Sequence, residues 1–142
     1  MLDRLGRVEA SLAEIRRLPL DSLESFQSDS RNVWTAESCL RRSLEALLDV
    51  GRHLVAKLAG IGVSEYEAVG RSLGENGVVD KAAADLLIKL AGYRNRMVHF
   101  YHEVTTAELF SICADDLQDV ERIRVAYVQW MRRHPELIDD DL

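Results

Sequence analysis

Apolar residues recur along most of the chain at steps of three and four, the spacing that lines one face of an α-helix. Leu5, Val8, Leu12 and Ile15 hold it in the first segment, and Pro19 predicts where that helix ends. A short helix is expected from Leu23, with Asp21 and Glu24 in a capping-box-like arrangement. The strongest pattern covers 30 to 59. There Val33, Ala36, Leu40, Leu44, Leu47, Gly51, Leu54 and Leu58 trace a single stripe along a helix about 45 Å long. "GIGVS" at 60 to 64 breaks it, and Ser64 with Glu67 predicts a capping box for a short helix closing near Gly74.

After the turn "GENGVVD", Asp80 is placed to cap a helix that starts near Lys81 and carries Leu86, Leu87, Leu90, Met97 and Val98 inward. Thr105 and Glu108 predict another capping box, which leaves 99 to 104 as a final turn or a connecting loop. One last helix from Thr106 is expected to use Leu109, Ile112, Cys113, Leu117, Val120, Ile123, Tyr127 and Met131 on its core side and to stop before Pro135. The pattern predicts an all-α fold, a bundle of four main helices plus one or two short helices. Residues 1–134 are expected to form a single helical domain, and 135–142, ending "IDDDL", an acidic tail.

Composition narrows the function classes. At 142 residues, with 47% apolar and 30% charged residues, the chain fits one ordinary globular domain. No run approaches the roughly 20 apolar residues of a membrane span, and the first ten residues form no signal-peptide core, so a cytoplasmic location is expected. Cys39 and Cys113 share no ligand spacing and are expected to be reduced structural residues. A formal net charge of -6 argues against nucleic-acid binding by overall field, so any contact with RNA must be local.

The chemistry concentrates in "AGYRNRMVHFYHEV", residues 91 to 104. At about 100° per residue, Arg94 and Tyr101 project within ~20° of each other, and Asn95 and His99 sit one turn apart. Arg94 and His99 diverge by about 140° in an ideal helix. They converge only where the helix ends or distorts near His99, or where a second subunit supplies one of them. The plainer alternative is the solvated face of a surface helix. A histidine can move protons near neutrality, and an arginine presents fixed donors to a phosphate or a developing phosphorane. Arg96 adds a third cationic group within six residues, and two copies brought together by a dimer axis make a local basic cleft. The alternative for Arg96 is an exposed arginine paired with a carboxylate.

Arg94, four residues, His99, one residue and Tyr101, with Asn95 directly after the arginine, resemble the signature of HEPN-domain ribonucleases of the HepT-like toxin family. The resemblance extends over the long helix, the short helix, the turn and the motif helix. It implies an all-helical homodimer with a composite cleft, encoded beside an MNT-type nucleotidyltransferase antitoxin and cutting RNA with neither metal nor cofactor. By position it makes Arg94 and His99 the catalytic pair and Asn95 a supporting residue. It makes Tyr101 the residue to which the antitoxin attaches AMP. The competing function is a non-catalytic helical binding or regulatory partner of a nucleotidyltransferase.

Other residues have blander expectations. His99, His102 and Glu103 lack an established metal-ligand motif. Arg52 and His53 lie beside the apolar stripe of the long helix, where a structural role is expected for His53. Trp34 and Trp130 are expected as core or dimer-interface anchors, and Arg41 and Arg42 as part of a solvated face.

Overall fold

The computed structural model describes residues 1–60, 65–99 and 104–137. Its helices are α1 (Leu2–Arg16), α2 (Leu23–Gln27), α3 (Ser30–Ala59), α4 (Tyr66–Glu75), α5 (Lys81–His99), α6 (Thr106–Asp115) and α7 (Leu117–Arg133), followed by a 3-10 turn at Pro135–Leu137. No strand occurs among the described residues. None of the helices is long and apolar enough to cross a membrane.

The all-α bundle follows the apolar spacing. Leu5, Val8, Leu12 and Ile15 are all buried on α1, and α3 has the bounds that its stripe predicts. Asp29 starts α3 by accepting the Arg31 N–H, and Gly60 ends it with a left-handed φ of 67° and an N–H bonded to the Ala56 carbonyl. A side chain at position 60 would strain that turn. With Ala36, Leu40, Leu44, Leu47 and Leu54 buried, α3 forms the spine of the core and packs on each of the other six α-helices.

Several local expectations are corrected. The final helix is two helices, because Asp116 leaves helical geometry (φ -111°, ψ 3°) and ends α6 before Leu117 begins α7. Adjacent Asp115 and Asp116 are poor interior helix residues, and the break raises the number of short α-helices to three. Ser22, not Asp21, caps α2, since Ser22 immediately precedes the helix and its hydroxyl accepts the Ser25 N–H at 3.0 Å. Thr105 accepts the Glu108 N–H, but the Glu108 carboxylate turns to Arg96 instead of closing a capping box. Val98 points outward, and Trp34 is 70% exposed, so it is no core anchor, whereas Trp130 is buried. The proposed Ser64 cap and residues 138–142 of the tail lie outside the described residues.

Two close approaches set the geometry on which the site depends. At Gly70, on α4, an added Cβ would lie 2.8 Å from the Ala84 carbonyl oxygen and 3.0 Å from Leu87 Cβ. Only a residue without a side chain lets α4 sit this close to α5. At Gly51, on α3, a Cβ would lie 2.6 Å from the Tyr127 hydroxyl, so the missing side chain leaves room for a fully buried tyrosine of α7. Cys39 and Cys113 are free, and burial pushes the Cys113 thiol up to about 12, in line with a structural role.

Candidate functional site

Helix α5 includes His99 as its last residue, and its C-terminal half borders a recess of about 520 Å³. Arg52 of α3, Glu65 and Tyr66 at the start of α4, Glu67, and Arg94, Asn95 and His99 of α5 line it. The structure thus brings Arg94, Asn95 and His99 to one hollow within a single chain, despite their angular divergence on an ideal helix. A larger hollow of about 750 Å³ lies between α7 and residues 77–80, but it holds no histidine and none of the motif residues. Volume is therefore a poorer guide here than chemistry.

The Arg94 side chain is held on three sides. Its Nε lies 3.5 Å from Glu45 Oε1, a charge contact and not a hydrogen bond. Its Nη1 donates to Asn95 Oδ1 at 3.2 Å, and its guanidinium carbon stands 4.7 Å from the centroid of the Tyr66 ring. Asn95 uses both ends of its amide. While Oδ1 accepts from Arg94, Nδ2 donates to Glu67 Oε1 at 3.3 Å, which ties the α5 motif to α4.

Tyr66 joins this group to α3. Its hydroxyl donates to Asp49 Oδ1 at 2.6 Å, and the same carboxylate oxygen accepts from Arg52 Nη2 at 2.8 Å. Arg52 also stands over the Tyr66 ring, at 4.9 Å from the centroid. Burial, then the hydrogen bond to Asp49 and the charge of that carboxylate, push the Tyr66 phenol up to about 12 against the opposing effect of the two arginines. Near neutral pH Tyr66 therefore stays protonated. It offers an aromatic plate and a donor, not a base.

Arg96 is placed differently. Its Nη1 and Nη2 meet Glu108 Oε1 and Oε2 at 2.6 and 2.9 Å, a two-pronged pair that spends the outer edge of the guanidinium, and it is not part of the recess lining. The pair holds the Glu108 carboxyl below the usual carboxylate range. Arg41, similarly, is engaged with Glu37 and Glu45 along α3. Tyr101, His102 and Glu103 lie outside the described residues. Among the described residues, no group of three or more His, Cys, Asp or Glu is arranged to hold a metal ion.

Sequence reasoning did not assign Tyr66, Glu67 or Arg52 to the site. A partial signal was present, because Glu45, Asp49 and Arg52 stand at i, i+4 and i+7 and so share one face of α3.

The family model described as Ribonuclease HepT-like matches residues 8–126. The chain belongs to the HepT-like ribonuclease family. A curated relative, tRNA nuclease HepT of Aphanizomenon flos-aquae, is 25% identical over 116 residues, covering 81% of this chain and 78% of that protein. Among solved structures, a tri-AMPylated Shewanella oneidensis HEPN toxin in complex with MNT antitoxin has a TM-score of 0.79 at 19% identity, over 90% of this chain and 96% of that one. YutE, a cytosolic protein of unknown function from Bacillus subtilis, has a TM-score of 0.75 at 20% identity, over 93% and 88% of the two chains. At these identities the structural likeness establishes the HEPN toxin fold. Membership in the HepT-like family rests on the sequence match.

Proposed function

We propose that this chain is the toxin of a HEPN/MNT-type toxin–antitoxin pair, a metal-independent endoribonuclease with Arg94 and His99 as its catalytic residues. The observation that carries this reading is the shared recess, in which a histidine and a buttressed arginine with unspent donors face one hollow. In the reaction, a ribose 2′-hydroxyl attacks the adjacent phosphorus. His99 takes the hydroxyl proton, Arg94 stabilises the phosphorane, and the P–O5′ bond breaks. The products are a 2′,3′-cyclic phosphate and a 5′-hydroxyl, to which the proton taken by His99 passes through solvent. Asn95 orients Arg94. Arg96, engaged with Glu108, contributes to the field around the cleft and not to the reacting atoms.

Two copies of the chain bring their recesses together in a composite cleft, and an MNT-type nucleotidyltransferase silences the toxin by transferring AMP from ATP to Tyr101: the phenol oxygen bonds to the α-phosphorus, and pyrophosphate and the phenolic proton leave. The test is RNA cleavage by wild type, Arg94→Ala and His99→Ala, with growth on induction beside it. Cleavage and growth arrest by wild type alone are expected. Equal cleavage by all three removes the pair from the mechanism. For the modification, incubation with the nucleotidyltransferase and ATP should add AMP masses that Tyr101→Phe abolishes; labelling that survives places the acceptor elsewhere.

Glu65 and Glu67 in the lining favour a second reading, a regulatory partner of the nucleotidyltransferase with no cutting of its own. Healthy growth on induction without the partner, unchanged by His99→Ala, is its signature.

A further inference from the structure

Arg52 reaches the recess from α3, outside the motif that marks α5. Its guanidinium and that of Arg94 stand 4.9 and 4.7 Å from the centroid of one ring, so the two cations are no further apart than the sum of those distances. That bound admits the separation of neighbouring phosphodiesters along a single strand.

We propose that Arg52 binds a second phosphate of the RNA, adjacent to the one held by Arg94, with Tyr66 fixing the distance between the two arginines. The proposal rests on the nuclease reading above. Three features support it.

First, Arg52 retains donors. It spends Nη2 on Asp49, while its other guanidinium nitrogens make no hydrogen bond among the described residues, and its side chain is 40% exposed. Arg96, by contrast, has both terminal nitrogens on Glu108.

Second, the contact that restrains Arg52 is weak enough to share. A half-exposed pair three residues apart on a helix is screened by solvent and holds its partners only weakly. Asp49 also accepts from Tyr66, so its charge is divided between two donors. A phosphate can engage the remaining nitrogens while Asp49 keeps the guanidinium in place.

Third, the placement accounts for local binding by an acidic protein. Glu65 and Glu67 offset the two arginines of the lining. Affinity must then come from directed contacts to individual phosphates, and a second arginine in the same recess supplies one.

The test uses full-length His99→Ala protein, in which RNA stays intact, and a single-stranded oligouridylate as probe, with binding measured across a salt series. Each phosphate contact on a single strand contributes about 0.7 to the slope of log affinity against log salt. Arg52→Gln is expected to lower the slope by about that amount and to weaken binding several-fold, whereas Arg52→Lys keeps the slope. Arg31→Gln makes the same charge change about 30 Å away along α3 and should leave the slope unaltered. In protein with His99 intact, Arg52→Gln should raise KM for RNA with little change in kcat.

An unchanged slope in Arg52→Gln overturns the proposal, as does a loss equalled by Arg31→Gln or the absence of measurable binding. Binding with an Arg52-dependent slope by a wild type that cuts no RNA sinks the nuclease reading and leaves the phosphate contact standing. Cleavage with an Arg52-independent slope does the reverse.

Discussion

The Tyr66 hydroxyl donates to Asp49 at 2.6 Å, which ties the ring beneath Arg94 to the longest helix of the bundle. Removing the ring should therefore cost more than removing the hydroxyl. A desolvated cation–π contact is worth about 0.5–2 kcal/mol, so Tyr66→Leu should lower kcat/KM for RNA by roughly 2- to 30-fold. Tyr66→Phe keeps the plate and should lose less. Steady-state cleavage by the two variants checks the order, and a Leu variant as active as wild type would show that the ring does not position Arg94.

Close packing of α4 on α5 predicts opposite outcomes for two glycines. Gly70→Ala forces a Cβ against the Ala84 carbonyl oxygen, which cannot move without its helix, and should destabilise the protein by about 1–3 kcal/mol. Because α4 carries Tyr66 and Glu67, activity should fall with it. Gly92→Ala, in the interior of α5 with open space around the new methyl, should instead stabilise by about 0.5–1 kcal/mol. Thermal melts of both variants decide the matter.

Tyr127 is fully buried, and its hydroxyl has no hydrogen-bond partner among the described residues. Burial pushes this phenol far above its ordinary range. Tyr127→Phe removes an unsatisfied polar atom, whose desolvation costs about 1–3 kcal/mol, and should raise stability to denaturant. A clear loss of stability would show that the hydroxyl contributes a favourable interaction.

Glu108 sets a pH dependence through Arg96. Its folded-state pKa is depressed, so its contribution to stability is present above the unfolded value of 4.5 and disappears as pH falls through the folded value. Glu108→Gln should melt below wild type at neutral pH by the equivalent of about 1 kcal/mol, and the gap should close in acid. Melting curves from neutral pH to below 4.5 test this; a gap that persists in acid would assign the loss to packing.

Helices α1 and α3 were legible because one apolar stripe runs unbroken through each. The boundary between α6 and α7 was not, because Ile112, Cys113, Leu117 and Val120 keep helical spacing across it, and spacing carries no information about Asp116. Val98 followed the same spacing and is still left 38% exposed. At the site, the cluster of Arg94, Asn95 and His99 could be read locally. The partners that give it shape could not: Tyr66 and Glu67 stand 28 residues before Arg94 and Asn95 and meet them only once Gly70 seats α4 on α5. The engagement of Arg96 by Glu108 likewise depends on how α6 folds back, which pattern alone does not specify.

Because the recess is assembled from α3, α4 and α5, its parts emerge from the ribosome in a fixed order. Arg52 and Tyr66 are synthesised first and wait for Arg94. A nascent chain that ends within α4 has the plate and one cation but nothing to juxtapose with them. Synthesis itself thus delays the hollow until α5 has been made and can dock on α4.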